Sequence, residues 1–459
     1  MSTSFSFGRP IKRGAATWAP RQSFSETTAP KAGPKSTSGR LILAIIFCYS
    51  LLLPAGFFFD LGTIRLPVFR FLGLIAVPFL IVEATRQRPK FNIVDGCMIL
   101  CALWIGGVLV YHQGLANGFE PAGRETVDLL AGYFIMRICV RSVSELRVLL
   151  IAFLPGLLLT GVLLAYESTT AKLTFLEWFP PENAKDSAKY QARLGLTRAW
   201  GPFPHPILGG LFMATFLPLY ASIANRHRVA AFGVIAAICG FFSLSSAAIM
   251  ALILAIGLTV FWRSSMTITR RANWPLIGVP VACILVFVQL FVGGGAGGFV
   301  MRYLSLTPET ANYRRLIWEY GSASVAENPI FGIGYAGYER IGWMVSASID
   351  SHWLAIAVRY GLPALFLMIV AAVFAIHFLA RSQPKDLSEE SILHAGLLIA
   401  LICLSVMLLT VFAWLQMQAL FSVLIGLAVG IGVKEASAKG RKIASHAARP
   451  VLRKIQRRS

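Results

Sequence analysis

Apolar runs long enough to cross a bilayer recur along almost the whole chain, separated by short basic turns and two long mixed stretches. They fall near 41–59, 67–84, 94–112, 125–140, 147–166, 206–223, 229–243, 246–262, 275–293, 354–379, 391–413 and 417–433. A helix of about 18 residues or more spans a hydrocarbon core of roughly 30 Å. Strands of a membrane barrel would give shorter runs of alternating polarity, and these are absent. The pattern predicts an all-α polytopic membrane protein with about 12 transmembrane helices.

The connecting segments give the orientation. "EATRQRPKFN", "RICVRSVSELR", "NRHR", "WRSSMTITRRANW" and "ARSQPKDLSEE" all carry Lys or Arg, whereas the alternate loops are close to neutral. By the positive-inside rule the basic loops are cytoplasmic, and an even number of spans puts both termini there too. Residues 1–40 hold no apolar run and no signal peptide, and read as a disordered basic tail. Residues 41–433 form the membrane domain, and 434–459 a second basic tail. The outer side receives two loops far longer than a turn requires, 167–205 and 294–351, the latter between spans nine and ten. Loops of that length inside a compact fold are usually functional.

Composition agrees. Of 459 residues 56% are apolar and 14% charged, against roughly 25% charged in a soluble domain. The net charge of +21 resides in tails and inner loops, so it signals topology and not nucleic-acid binding. The seven cysteines, Cys48, Cys97, Cys101, Cys139, Cys239, Cys283 and Cys403, all lie in apolar segments and imply neither a disulfide framework nor a metal site.

Several charges belong to the outer ends of spans: Asp60, Arg65, Arg70, Arg124, Glu125, Asp128, Glu167 and Arg359. Such residues pair with one another or face water, so their gathering on one side predicts an outward-facing polar cavity. The first long loop ends in "LTRAWGPFPHPILGG", where Arg198 precedes a Gly/Pro turn and His205 stands at a helix entry, either as a site residue or as a helix start. In the second loop, "ANYRRLIWEYGSASVAEN" sets Tyr313, Ile317 and Tyr320 at helical spacing beside Leu316. This predicts an amphipathic surface helix carrying Arg314 and Arg315. "NPIFGIGYAGYE" then forms a glycine-rich turn, and the chain returns to the membrane past Asp350, His352 and Arg359. Guanidinium forks bind phosphate in bidentate fashion, so these arginines suit a diphosphate-linked substrate. "FGIGYAG" precedes no βαβ unit and is not a nucleotide loop.

These residues resemble the bacterial O-antigen ligase and polysaccharide polymerase superfamily. That family shows an Arg outside a mid-chain span, then an external loop with an Arg four residues before a Trp, then "NPxxGxG" and "HNxxLxxLxxxGxxG". Arg198 matches the first, Arg314 to Trp318 the second, and "NPIFGIG" the third. The fourth departs: counting back from Gly361, Asp350 stands at the family's His position and Ser351 at its Asn, with His352 two residues further on.

The resemblance implies a helical, metal-independent integral-membrane glycosyltransferase (GT-C-like) of the bacterial inner membrane, without cofactor, whose second long loop is periplasmic. Its donor would be an undecaprenyl-diphosphate-linked glycan within membrane lipid, with a flippase and a chain-length regulator as protein partners. Arg198, Arg314 and Arg315 would bind diphosphate, and Asp350 or His352 would take the acceptor proton. His205, Arg359 and Arg70 are further candidates. So is Glu319, one helical turn from Arg315 and equally suited to be its ion-pair partner. The displaced histidine favours polymerisation of lipid-linked repeats into an exopolysaccharide or O-antigen. The alternatives are ligation of the glycan to lipopolysaccharide core and, in another class, transport of the lipid-linked sugar without chemistry.

Overall fold

The computed structural model describes residues 39–54, 56–61, 64–179, 191–224, 227–269, 308–344, 347–382 and 386–433. Both basic tails and the expected ninth span, 275–293, lie outside the described residues.

The described residues are overwhelmingly helical. Eight helices are long and apolar enough to cross a membrane: Val68–Gln87, Ile93–Cys139, Val143–Thr170, Pro206–Ile223, Ser246–Ile268, His352–Ser382, Glu389–Met407 and Gln416–Val433. Gly39–Ser50 and Ala230–Ser243 are shorter apolar helices. Two small hairpins depart from the purely α expectation, Phe58–Leu61 with Ile64–Pro67 and Ala192–Arg193 with Leu196–Thr197. Both lie in loops, where an apolar run ends and turn residues take over.

Caps written in the sequence start several helices. Asn92 accepts from the amides of Val94 and Asp95 while the Asp95 carboxylate accepts from the Asn92 amide, a reciprocal capping box. Ser142 and Ser388 cap later helix starts with their hydroxyls, which accept from the Glu145 and Ser391 amides. Burial then sorts the helices. Pro206–Ile223 and Gln416–Val433 are 89% and 94% buried and form the centre, whereas Val68–Gln87 is 28% buried and turns Ile75, Ile81 and Val82 outward. An apolar helix left that exposed needs an apolar solvent, which lipid provides.

One expected loop is helix. "HQGLANGFEPAGRE" belongs to the 47-residue element Ile93–Cys139, interrupted only at Gly114 (φ 72°, ψ 165°). The arms on either side fold back on each other: a Cβ at Gly118 would lie 2.7 Å from the Leu109 carbonyl oxygen, and one at Gly106 3.7 Å from Ala122 Cβ. A single left-handed glycine makes the reversal, so the good helix formers Leu115, Ala116, Glu120 and Ala122 need not serve as loop.

The side read as cytoplasmic is tied by ion pairs. Arg40 bonds Glu145, Arg137 Nε lies 3.3 Å from Asp95 Oδ1, and Glu389 Oε1 meets both Arg147 Nε at 3.0 Å and His227 Nε2 at 2.9 Å.

Candidate active site at the outer surface helix

The helix Pro308–Glu327 covers most of the stretch read as amphipathic. Leu316 and Ile317 are buried in a small separate core with Tyr338, Met344, Ile349, Leu354, Ala355 and Val358. Arg314 lies on this buried face, whereas Arg315 and Glu319 are exposed and form no ion pair with each other. Adjacent residues of a helix point about 100° apart, so the two arginines cannot share one face.

The glycine-rich turn fastens this helix to the membrane. The helix His352–Ser382 is broken at Gly361 (φ 81°, ψ 174°), which frees carbonyls in the preceding turn. The turn fills them: Ile333 N donates to Val358 O at 2.9 Å and Gly334 N to Arg359 O at 2.9 Å, while Leu362 N donates to Pro329 O at 2.7 Å. "NPIFGIG" is therefore a backbone latch, and its glycines permit close approach, not phosphate binding.

Beneath the helix, Arg314 Nε lies 3.4 Å from Asp350 Oδ2. The two line a small pocket with Ile317, Trp318, Ser351, Leu409 and Thr410. Arg314 Nη1 is buried without a hydrogen-bond partner among the described residues. Burial pushes the Asp350 pKa above the usual carboxylate value, and the Arg314 guanidinium opposes the rise. His352 stands elsewhere. It is buried against Phe412 and Phe421, at ring-centroid distances of 5.7 and 6.3 Å, with neither ring nitrogen bonded among the described residues, and it does not line the Arg314 pocket.

Arg198 is held by another cluster. Its Nη1 donates to Gln191 Oε1 at 2.8 Å and its Nε to the Ser243 carbonyl at 3.3 Å. No carboxylate pairs with it among the described residues, and burial, with Arg193 nearby, lowers its pKa to about 10. The turn that follows hangs on Glu167, a fully buried carboxylate whose Oε2 accepts from Trp200 N at 2.9 Å and Gly201 N at 2.7 Å. His205 proves to be the helix start: its Nδ1 accepts from Ile207 N at 3.2 Å, with Pro206 in the first turn. Burial, followed by Arg198 and Arg193, lowers its pKa to about 4, so it is neutral near pH 7.

A row of rings runs from this cluster toward the other. Trp200, His205, Trp414 and Phe412 follow at centroid spacings of 5.7, 6.1 and 5.8 Å, and Phe412 is two residues past Thr410 of the Arg314 pocket.

The outer charges do not form one open cavity. Arg70 is closed by Asp128, with Nε to Oδ1 at 2.6 Å and Nη2 to Oδ2 at 2.7 Å, and so has spent its fork on a structural pair. Asp60 meets Arg65 and Arg124 meets Glu120, both at 3.7 Å. Glu125 accepts from the Tyr335 hydroxyl at 2.9 Å and from Gln418 Nε2 at 3.4 Å. Charges at the edge of lipid are cheapest when paired.

Sequence reasoning missed Gln191, Thr410 and Tyr335, since a lone polar residue in a loop carries no spacing signal. Glu167 stood among the flagged charges, but nothing in its neighbourhood tied it to a loop more than thirty residues on.

No curated protein matches the chain. Residues 231–369, which take in Arg314, the latch, Asp350 and Arg359, match the family model described as O-Antigen ligase, and over this stretch the chain is similar to that family.

Proposed function

We propose that the protein transfers a diphosphate-linked glycan from a polyprenyl carrier at the periplasmic face of a bacterial inner membrane, extending a surface polysaccharide repeat by repeat. In this reading the chain crosses the membrane twelve times with both termini cytoplasmic. The observation that carries it is Arg314: a buried guanidinium with an unfilled donor, beside a carboxylate of raised pKa, in a pocket just outside the membrane helices.

The acceptor hydroxyl oxygen attacks the anomeric carbon and forms the new glycosidic bond. The bond from that carbon to the diphosphate oxygen breaks, and its electron pair leaves with the polyprenyl diphosphate. Asp350 takes the hydroxyl proton as general base, and Arg314 offsets the charge that grows on the leaving diphosphate, as preorganised donors do well. Arg198 is a second diphosphate residue, since no acid neutralises it among the described residues. The geometry favours Asp350 over His352 as base, because only Asp350 lines the pocket. Arg315 is exposed and does not line the pocket.

The test supplies purified full-length protein in lipid nanodiscs with lipid-linked repeats alone. Chain growth without lipopolysaccharide supports polymerisation. Transfer only when lipopolysaccharide core is added replaces it with ligation, and movement of intact lipid-linked sugar without bond formation replaces both with transport.

A further inference from the structure

Of the eight charges read as lying at outer helix ends, Arg359 alone has a side chain with no hydrogen bond or ion pair among the described residues. Asp60, Arg65, Arg70, Arg124, Glu125, Asp128 and Glu167 each have a partner. The Arg359 guanidinium makes no hydrogen bond or ion pair among the described residues, although it is half-buried at the outer end of a membrane helix. A charge so placed is costly and by default marks a functional site.

Its surroundings hold it in place without occupying its donors. The guanidinium carbon lies 4.7 Å from the Phe412 ring centroid and 5.5 Å from that of Tyr335. Ring faces attract a guanidinium electrostatically, and stacking leaves the N–H groups at its edge free. The backbone is equally fixed, since Arg359 O receives the Gly334 amide of the latch and Gly361 breaks the helix two residues later. Glu125, the acid bonded to Tyr335, is already engaged by the Tyr335 hydroxyl and Gln418. The same Phe412 ring packs against His352, an imidazole with neither nitrogen hydrogen-bonded among the described residues.

We infer that Arg359, stacked on Phe412 and Tyr335, is an anion-binding site separate from the Arg314 pocket, and that it takes an oxyanion carried by the acceptor substrate. A planar fork with free edges selects a group with two oxygens in parallel, a phosphate or a sugar carboxylate. The assignment to the acceptor rests on the transferase reading: the Arg314 pocket serves the donor, Arg359 does not line it, and the segment Leu409–Phe412 touches both. The anion site itself does not depend on that reading.

The test is arginine-specific labelling with phenylglyoxal, read by peptide mass mapping on the full chain in nanodiscs of uncharged lipid. Arg359 should label in the free protein. Inorganic diphosphate or glucuronate, at about ten times its dissociation constant, should slow that labelling roughly tenfold, while glucose should not. Whichever anion protects identifies the phosphate or the carboxylate as the group bound. Protection should persist in Arg314→Gln, and in Arg314→Lys should the first variant fail to fold. The inference is overturned if Arg359 does not label in the free chain, if neither anion protects it, if glucose protects it equally, or if protection vanishes with the Arg314 variants. Absence of glycan transfer with protection intact would remove the transferase reading and leave the anion site standing.

Discussion

The carbonyl oxygen of Ile330 occupies the space in which Gly361 would carry a side chain: a Cβ there would lie 1.9 Å from it. Two motifs some thirty residues apart, "NPIFGIG" and the glycine that ends "WLAIAVRYG", are therefore halves of one joint. The joint fixes the turn after the Arg314 helix to the helix His352–Ser382 and holds the turn that carries Arg359. Gly361→Ala should cost about 1–3 kcal/mol in backbone strain and roughly 1–3 kcal/mol more in overpacking. Gly107→Ala, where a Cβ meets nothing within 4 Å, should leave stability unchanged or slightly raised. Thermal unfolding in detergent compares the two directly.

Arg314 should resist even conservative change. A lysine keeps the charge but loses the planar fork that reaches Asp350 and the pocket together. Arg314→Lys should reduce transfer about 10²- to 10³-fold, the usual cost of losing one preorganised donor. Turnover by purified protein at matched folding yield measures this, and near-normal turnover would remove Arg314 from the chemistry.

Asp350 links rate to pH. A general base works when ionised, and burial holds this carboxyl's pKa above its ordinary 3.8. Activity should therefore rise with pH along an acid limb displaced upward from that value. Asp350→Asn should lower turnover about 10²- to 10⁴-fold and erase the limb. Should the limb survive in Asp350→Asn and disappear in His352→Gln, the base is the histidine.

Glu167 positions Arg198 from a distance. Glu167→Ala leaves the amides of Trp200 and Gly201 buried without acceptors, at about 1–3 kcal/mol for each. It should also loosen the turn that carries Arg198, so transfer should fall alongside stability. Glu167→Gln retains one acceptor oxygen and should recover part of both. Melting temperature and turnover, measured on the same samples, decide whether they move together.

His205 makes one helix start sensitive to acid. Its folded pKa of about 4 lies below its ordinary 6.5, so the unfolded chain holds the proton more tightly. The cap to Ile207 N is fully present above 6.5 and is lost as pH falls toward 4. Melting temperature should decline over that window, and His205→Asn, which caps without titrating there, should flatten the decline.

Much of this architecture is legible along the chain because it is encoded locally. The length of an apolar run depends only on neighbours, and so do the caps Asn92 and Ser142 and the helical spacing of Tyr313, Ile317 and Tyr320. Gly114 shows the limit: a loop and a one-residue reversal have the same composition there, and only the approach of Gly118 to Leu109 separates them. The choice between Arg314 and Arg315 was open for a similar reason, since two adjacent arginines are equivalent until a packed face selects one.

The sequence by itself determined that this chain is a polytopic helical membrane protein and which of its residues resemble those of the O-antigen ligase superfamily. Only the tertiary structure decided that Arg70 is spent on Asp128, that Arg314 meets Asp350 while His352 is walled in by rings, and that the Arg359 guanidinium stacks on two rings with no hydrogen bond or ion pair among the described residues. Membrane insertion follows from hydrophobicity summed along a segment. Pairing of charges depends on which helices pack together, and no local pattern records that.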